Sequence, residues 1–404
     1  MMQIIEKTSL LSNLISPRRD VNRPIFNWHT FKHGYSSELV NHLIADLELL
    51  QGDWVLDPFC GGGTTLLACK EAGINCHGFD ILPFSVFLSN VKTRNYDLKK
   101  LRTENKRFEA NKKKIKNSFN FPDIPIAKKA FSVTTRKELL RIKQVIEDIE
   151  DTPTKDFFNV GFLSILEGVS QTKKAGGFLR LVNRDVQIDN IYPLFLGKIR
   201  SMIEDIESSI ESNSITAAFH GDARNLPATR TYDAVITSPP YPNRHDYTRI
   251  YSLEMLFDFV SNNEDLKKIR YETLRSHVEA KQKYEAKDYT EPQVLKKLIK
   301  QIKGNGVNNP QVISMLRGYF EDMFLVFKEI YRCLRNGGKV TVVISNVRFS
   351  GINVPVDEIL FEIGEQAGLS ARYIWAARYR GNSSQQMKTY SREPSRESIV
   401  FWNK

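Results

Sequence analysis

The stretch Trp54–Thr65, WVLDPFCGGGTT, decides how the rest of the chain is read. Trp54-Val55-Leu56 reads as a strand that stops at Asp57-Pro58, turns through Gly61, Gly62 and Gly63, and enters a helix near Thr64. Such a turn brings bare N–H groups and the positive end of a helix dipole to a ligand, because glycine has no Cβ to block the approach. An anionic group belongs there, although the same turn serves any αβ unit that needs a tight corner. A phosphate loop would end in Gly-Lys-Ser/Thr, whereas Gly63 runs straight into Thr64-Thr65 without a lysine. A dinucleotide fingerprint spaced Gly-x-Gly-x-x-Gly fails after Gly61 and Gly63, because position 66 is Leu.

Working outward, Asn75–Asp80 (NCHGFD) reads as a second strand that ends in an acid. An acid about 20 residues beyond a glycine loop is where nucleotide-binding folds place the carboxylate that accepts from ribose hydroxyls. Further on, Ala217–His220 is a short strand followed by Gly221-Asp222-Ala223-Arg224, and Tyr232–Thr237 is a strand that ends at Ser238-Pro239-Pro240-Tyr241. In an open parallel sheet the ligand crevice lies outside the carboxyl ends of the strands, so Asp57, Asp80, Asp222 and Ser238 should converge on one cleft.

The αβ pattern is discontinuous. Residues 1–95 hold an N-terminal element and the first half of the core, in which Leu39, Val40, Leu43, Ile44, Leu47 and Leu50 recur at helical spacing behind an N-cap at Ser36 or Ser37. Residues 96–213 read as a helical insertion, with lysine-rich Leu98–Phe119 and apolar stripes over Thr135–Ile149, Asp156–Ser170 and Asn190–Ile210. Within it, SQTKKAGGFLR (Ser170–Arg180) is an unusual loop suited to a nucleic-acid backbone or a base, and Lys112–Lys114 and Lys128-Lys129 are either phosphate contacts or a solvated face. The core resumes over 214–245, a second insertion spans 246–315, and 316–404 completes the core. In this last part Tyr319–Leu334 is a helix closed by Asn336-Gly337-Gly338, followed by strand Lys339–Ser345, helix Pro355–Gly368 and final strands Leu369–Tyr379 and Ser398–Trp402.

The 404 residues are 41% hydrophobic and 26% charged, which suits a globular fold with a substantial core. Lys and Arg number 58 against 47 Asp and Glu, a net charge of +11 that favours a polyanionic partner such as nucleic acid. Cys60, Cys69, Cys76 and Cys333 show no C-x-x-C spacing, so neither a metal cluster nor a disulfide framework is expected. No apolar run of about 18 residues and no cleavable leader is evident, which places the protein in the cytoplasm, away from membranes.

DPFCGGGTT followed by TSPPY resembles the S-adenosyl-L-methionine-dependent DNA amino-methyltransferases that modify cytosine N4 or adenine N6, and the TSPPY form is similar to the cytosine-N4 branch. The resemblance implies an α/β fold, a Rossmann-like doubly wound class I methyltransferase sheet, here with two large mainly helical insertions. It assigns the cofactor to Asp57, Phe59, Gly61, Gly63, Thr64, Thr65, Asp80, Ile81, Asp222 and Ala223. Thr64 and Thr65 would lie near the methionine carboxylate, Asp80 at the ribose and Asp222 at the adenine, while Phe31-Lys32-His33-Gly34-Tyr35 would close over the methionine part. It makes Ser238, Pro239, Pro240 and Tyr241 catalytic. An aromatic exocyclic amine is a poor nucleophile because its lone pair is delocalised, so acceptors must hold it pyramidal. Ser238 Oγ and the Pro239 carbonyl supply them, two prolines fix the turn, and Tyr241 offers a stacking face.

Cytosine-C5 transfer would need a Pro-Cys nucleophile, and none of the four cysteines follows a proline. Reaching a base inside double-stranded DNA implies base flipping. Arg244, His245, Tyr247 and Arg249, with Lys173 and Arg180, are placed at the flipped base or flanking phosphates, and Tyr251 and Phe257 on the core side. The first insertion is favoured as the reader of the target sequence. A restriction endonuclease would be a genetic rather than a stable physical partner. The competing readings are adenine-N6 transfer, transfer to RNA, and a DNA-binding protein with an inactive cleft.

Overall fold

The computed structural model describes residues 2–32, 34–110, 121, 124–209, 212–227, 230–243, 245–281, 284–306, 309–381, 390 and 393–404. Its strands, in chain order, are β1 (Ile4–Glu6), β2 (Trp54–Asp57), β3 (Asn75–Asp80), β4 (Thr172–Ala175), β5 (Phe178–Leu181), β6 (Thr216–His220), β7 (Tyr232–Thr237), β8 (Leu334–Ser345), β9 (Val347–Phe349), β10 (Ile352–Val354), β11 (Ser370–Arg380) and β12 (Ser395–Asn403). Eight of them form one sheet in the order β1-β11-β12-β8-β7-β2-β3-β6. Every neighbouring pair is parallel except those made by β12, which runs antiparallel to both β11 and β8. The chain winds outward from β2 through β3 to β6, then returns to the other side of β2 with β7. The direction of winding therefore reverses between β2 and β7, the place where such sheets bind ligands.

In the middle of the sheet both faces are buried, which is why β7 and the second half of β8 read as nearly continuous apolar runs. Val55, Ala234, Ile236, Val343 and Ile399 face one core, shared with helices Ser37–Asp46, Thr64–Glu71 and Pro83–Thr93. Their neighbours Leu56, Val235, Val342 and Val400 face the other, under helices Gln293–Gly304, Gln311–Cys333 and Val356–Gln366. This is the doubly wound class I methyltransferase sheet.

Between β3 and β6 lie helices Leu98–Ala110, Pro125–Ala130, Val133–Glu147, Thr152–Ile165 and Ile191–Ser208 and the hairpin β4–β5. They continue the first core through Phe108, Phe157, Phe158, Phe162 and Phe195. Between β7 and β8 lie helices Tyr247–Ile250, Ser252–Asp258, Asn263–Glu272, Gln293–Gly304 and Gln311–Cys333. Tyr251 is fully buried, and Phe257 packs against Phe121, Phe131 and Phe162.

Several local expectations are corrected. Ser170–Arg180 is a paired hairpin rather than a loop, because Gly176 at φ +58° supplies the left-handed turn that joins two short strands. The helix expected from Tyr319 begins at Gln311, and strand β8 starts directly at Leu334. Asn336-Gly337-Gly338 does not cap that helix. It is held in the strand by the chain end, with Gly337 N–H donating to the Lys404 carbonyl (3.0 Å) and Lys404 N–H to that of Gly338 (2.9 Å). Ser36 is the N-cap of helix Ser37–Asp46, accepting from Leu39 N–H at 3.3 Å. That helix stops before Leu50, which is 72% exposed. His33, Lys112–Lys114 and Arg244 lie outside the described residues.

Candidate active site

The carboxyl ends of β2, β3, β6 and β7 open onto one cleft. Asp57, Asp80, Asp222 and Ser238 all stand in its wall, joined by Phe31, Phe59, Gly61, Thr64, Thr65, Ile81, Ala223, Pro240 and Tyr247. The parallel register carries the four polar positions to the same edge although they are far apart in the chain.

Asp57 ties the crevice shut at its base. It is 2% exposed, and its Oδ1 accepts from Thr237 Oγ1 (2.6 Å) and Phe59 N–H (3.1 Å). Its Oδ2 accepts from Thr65 Oγ1 (2.6 Å), and the Tyr35 hydroxyl in turn donates to Thr65 Oγ1 at 2.6 Å. Burial raises the Asp57 carboxyl to about 6, against the downward pull of Thr237, Thr65 and the Phe59 N–H. The aspartate thus joins β2, β7 and the start of helix Thr64–Glu71 across the reversal in winding. Both of its oxygens, and the one hydroxyl proton of Thr65, are engaged inside the protein.

The glycine turn is more crowded than its sequence implies. Gly61 (φ +50°) and Gly63 (φ +78°) need left-handed backbone. A Cβ on Gly62 would stand 2.6 Å from Phe31 Cβ, one on Gly61 2.9 Å from Phe31 Cε1, and one on Gly63 2.8 Å from Ser89 Oγ. The missing Cβ atoms therefore admit protein neighbours, Phe31 above all. Gly63 caps helix Thr64–Glu71 without a side-chain bond, so the first N–H groups of that helix stay available to an anion.

Asp80 accepts from Gly61 N–H (3.0 Å) on Oδ2 and from Leu82 N–H (2.8 Å) on Oδ1. Each oxygen keeps a lone pair for a ligand. Burial raises its carboxyl to about 6, opposed by those two N–H groups. Asp222 is held differently. Arg224 grips it in a fork, Nε to Oδ1 at 2.9 Å and Nη2 to Oδ2 at 2.8 Å, and the Tyr284 hydroxyl donates to Oδ2 at 2.9 Å. Arg224, itself 5% exposed, also bonds Asp322 Oδ2 at 3.0 Å, and Asp322 in turn holds Arg275.

Of the four residues expected to be catalytic, Ser238 and Pro240 face the cleft and Tyr241 stands behind them. Ser238 Oγ donates to the Tyr241 hydroxyl over a long 3.5 Å. Burial, reinforced by the charge of Glu397, pushes the Tyr241 phenol up to about 12, so it stays protonated. Pro239 lies in the same turn. Phe31, Tyr251 and Tyr247 form a near-parallel set, with Phe31 and Tyr251 centroids 4.5 Å apart at 16° and Phe31 and Tyr247 6.3 Å apart at 12°.

The remaining expected residues divide. Lys32 points away from the cleft, its ammonium donating to the Lys174 carbonyl and its N–H to the Tyr251 hydroxyl (2.7 Å). His245 is half-buried, its N–H donating to Asn243 Oδ1 at 3.2 Å. Arg249 is ion-paired with Asp246 (3.2 Å) and Glu279, so its charge is already compensated. Lys173 and Arg180 are exposed and face each other across the β4–β5 hairpin.

Sequence reasoning missed Arg224, Tyr284 and Asp322, and it missed Lys92. Lys92 is 4% exposed in the cleft wall, its ammonium donating to the carbonyls of Phe26 (3.1 Å) and His29 (3.4 Å). Burial and the nearby Lys198 lower it to about 7. A lysine in a strongly apolar helix (PFSVFLSNVKT) is the signal that could have found it. Among the described residues no group of His, Cys, Asp and Glu is arranged to hold a metal, and no helix is long and apolar enough to cross a membrane.

A doubly wound sheet with a glycine turn, a carboxylate at the next strand end and a helix N-terminus without a side-chain cap makes a site for a nucleoside-bearing cofactor with an anionic end. A family model described as DNA methylase matches residues 13–91. Over its whole length the chain is 33% identical to the type II methyltransferase M.BsoBI of Geobacillus stearothermophilus, covering 90% of that protein. It is 30% identical to M.AvaI of Nostoc sp., over 98% of this chain and 90% of the relative. M.MjaII of Methanocaldococcus jannaschii is 40% identical over 74 residues, 18% of this chain and 14% of the relative. The chain belongs to the type II DNA methyltransferases of the N4/N6 amino family, and S-adenosyl-L-methionine is its methyl donor. The site suits that molecule, with spare acceptors on Asp80 and free helix N–H groups for a carboxylate.

Proposed function

We propose that this enzyme methylates the exocyclic N4 amine of a cytosine flipped out of double-stranded DNA, as the modifying half of a restriction-modification pair. The reading rests on the Ser238-Pro239-Pro240-Tyr241 turn, which stands at the reversal of the sheet, in the same cleft as Asp80 and with its serine hydroxyl barely engaged. The Ser-first form of the motif favours cytosine over adenine. Bound S-adenosyl-L-methionine supplies an electrophilic sulfonium methyl. Asp80 would hold the ribose hydroxyls, Asp222 the adenine, and the N–H groups of Thr64 and Thr65 together with Lys92 the carboxylate end. Ser238 Oγ and the Pro239 carbonyl accept the two amine hydrogens and aim the nitrogen lone pair at the cleft. Tyr247 supplies a face against the target base, Tyr241 backs Ser238 through its hydroxyl, and His245 follows the turn closely enough to flank the base.

Incubation with labelled cofactor and duplex DNA, followed by nucleoside analysis, tests the assignment. N4-methylcytosine is expected, and exclusive N6-methyladenine, or transfer to RNA alone, would overturn it. Ser238→Ala and Tyr241→Ala should each lower turnover by about 10²-fold or more, the scale of a lost acid–base or acceptor group, while cofactor affinity stays near wild type.

A further inference from the structure

The β4–β5 hairpin is fastened to the catalytic site at its base and bare at its tip. Lys174 is 4% exposed, and its ammonium pairs with the buried Glu254 and lies 4.7 Å from the centroid of the Tyr251 ring. Its carbonyl accepts from Lys32, whose neighbour Phe31 packs on the glycine turn. Strand β5 also packs against helix Tyr247–Ile250, which follows the catalytic turn and whose Tyr247 lines the cleft. The hairpin is therefore rigidly placed at the rim of the cleft.

Alternation along the strands sorts its side chains. Thr172 and Lys174 point inward. The pairs Lys173↔Arg180 and Ala175↔Phe178 share the opposite face. On that face Phe178 is 53% exposed, an uncommon exposure for so large an apolar ring, and Lys173 and Arg180 make no ion pair among the described residues. A Cβ on Gly176, at the turn, would meet nothing within 4 Å, so the tip stands clear of the rest of the chain. An unpaired cation couple beside an exposed aromatic ring is a combination suited to phosphates and an unstacked base.

Resting on the reading of the chain as a duplex-DNA methyltransferase, we propose that this face docks on the DNA beside the target, Lys173 and Arg180 taking backbone phosphates and Phe178 stacking on the base exposed where the target leaves the helix. No covalent chemistry is assigned to the hairpin. It lowers the energy of the flipped state, which otherwise costs a few kcal/mol of unstacking.

The test uses the full-length protein and the variants Phe178→Ala, Phe178→Trp and Lys173→Ala/Arg180→Ala. Binding to duplex DNA is measured over a salt series. The double variant should bind more weakly, with a log–log slope shallower by about 2, close to one for each phosphate no longer neutralised, and Phe178→Ala should keep the wild-type slope. Methylation is then compared on two duplexes carrying a site read from methylated host DNA, one intact and one abasic opposite the target. Phe178→Ala should lose about tenfold or more in kcat/KM on the intact duplex and less than about threefold on the abasic one, where flipping is cheap. Phe178→Trp should restore activity on the intact duplex. Equal losses on both duplexes, or wild-type behaviour of both alanine variants, would overturn the proposal. Failure of the wild type to methylate any duplex would sink the enzyme reading instead, and the salt slopes would still decide whether Lys173 and Arg180 bind phosphate.

Discussion

Two carboxylates of the cleft wall, Asp80 at the end of β3 and Asp222 just beyond β6, are held by opposite means. Asp80 is positioned by main-chain N–H groups of Gly61 and Leu82, which the sheet and its turns provide without help from distant residues. Asp222 is positioned by side chains, Arg224 and Tyr284, and through Arg224 by Asp322 and Arg275. Tyr284, Arg275 and Asp322 all follow β7, so one end of the cofactor cleft depends on the segment between β7 and β8 while the other depends on the core alone. Backbone anchoring survives most substitutions. An ionic network in which Asp322 is fully buried and Arg224 nearly so does not, because removing one member strands the charge of another.

The sharpest way to break this contrast is Asp322→Ala, which leaves Arg224 and Arg275 without their shared buried partner. We expect a loss of about 3–5 kcal/mol in stability, the usual cost of an unpaired buried charge, read by urea or thermal unfolding. A loss under about 1 kcal/mol would mean that the network is dispensable. Next in size, Asp80→Ala should weaken S-adenosyl-L-methionine binding by about 10- to 100-fold, the worth of hydrogen bonds to a charged group, in calorimetric titration, with turnover at saturating cofactor largely kept. Tyr284→Phe removes one hydroxyl from Asp222 and should weaken the cofactor by about three- to tenfold. Tighter binding would show instead that Tyr284 competes with the ligand for the carboxylate.

The smallest effect expected is on pH. Burial raises the Asp80 carboxyl to about 6, and hydroxyls of the kind proposed for it donate best to its ionised form. Cofactor affinity should therefore be full above that value and fall as the pH drops through about 6. Titrations between acid and neutral pH check this. Asp80→Asn should flatten the profile, and an unchanged profile would shift the effect to Asp57, which titrates in the same range.

Much of the cofactor half of the site was legible because its logic is local. A strand, a glycine turn and a helix start occupy adjacent residues, and the next strand end follows after one helix. The side expected to meet DNA was less so. Arg249 follows the Ser238–Tyr241 turn closely in sequence, yet Asp246 and Glu279 neutralise it. Ser170–Arg180 reads as a loop because Gly176 and Gly177 interrupt its pattern, whereas cross-strand pairing turns it into a rigid hairpin with Phe178 exposed. The fixed role of the glycines was also only half visible, since Phe31, far upstream, occupies the space their missing Cβ atoms leave.

What the sequence determined by itself is the order of strands and turns, and with it the strand ends at Asp57, Asp80, Asp222 and Ser238. Periodicity and turn chemistry are encoded by neighbours in the chain, and a parallel sheet carries all such ends to one edge. What only the tertiary structure decided is which polar groups remain available there. Asp57 is engaged in holding β2 to β7 through Thr237 and to the helix start through Thr65, Asp222 is gripped by Arg224 and Tyr284, and Lys92 reaches the cleft from a buried helix face. Those outcomes depend on pairings between residues as far apart as 180 positions, and no local pattern records which donors and acceptors will meet.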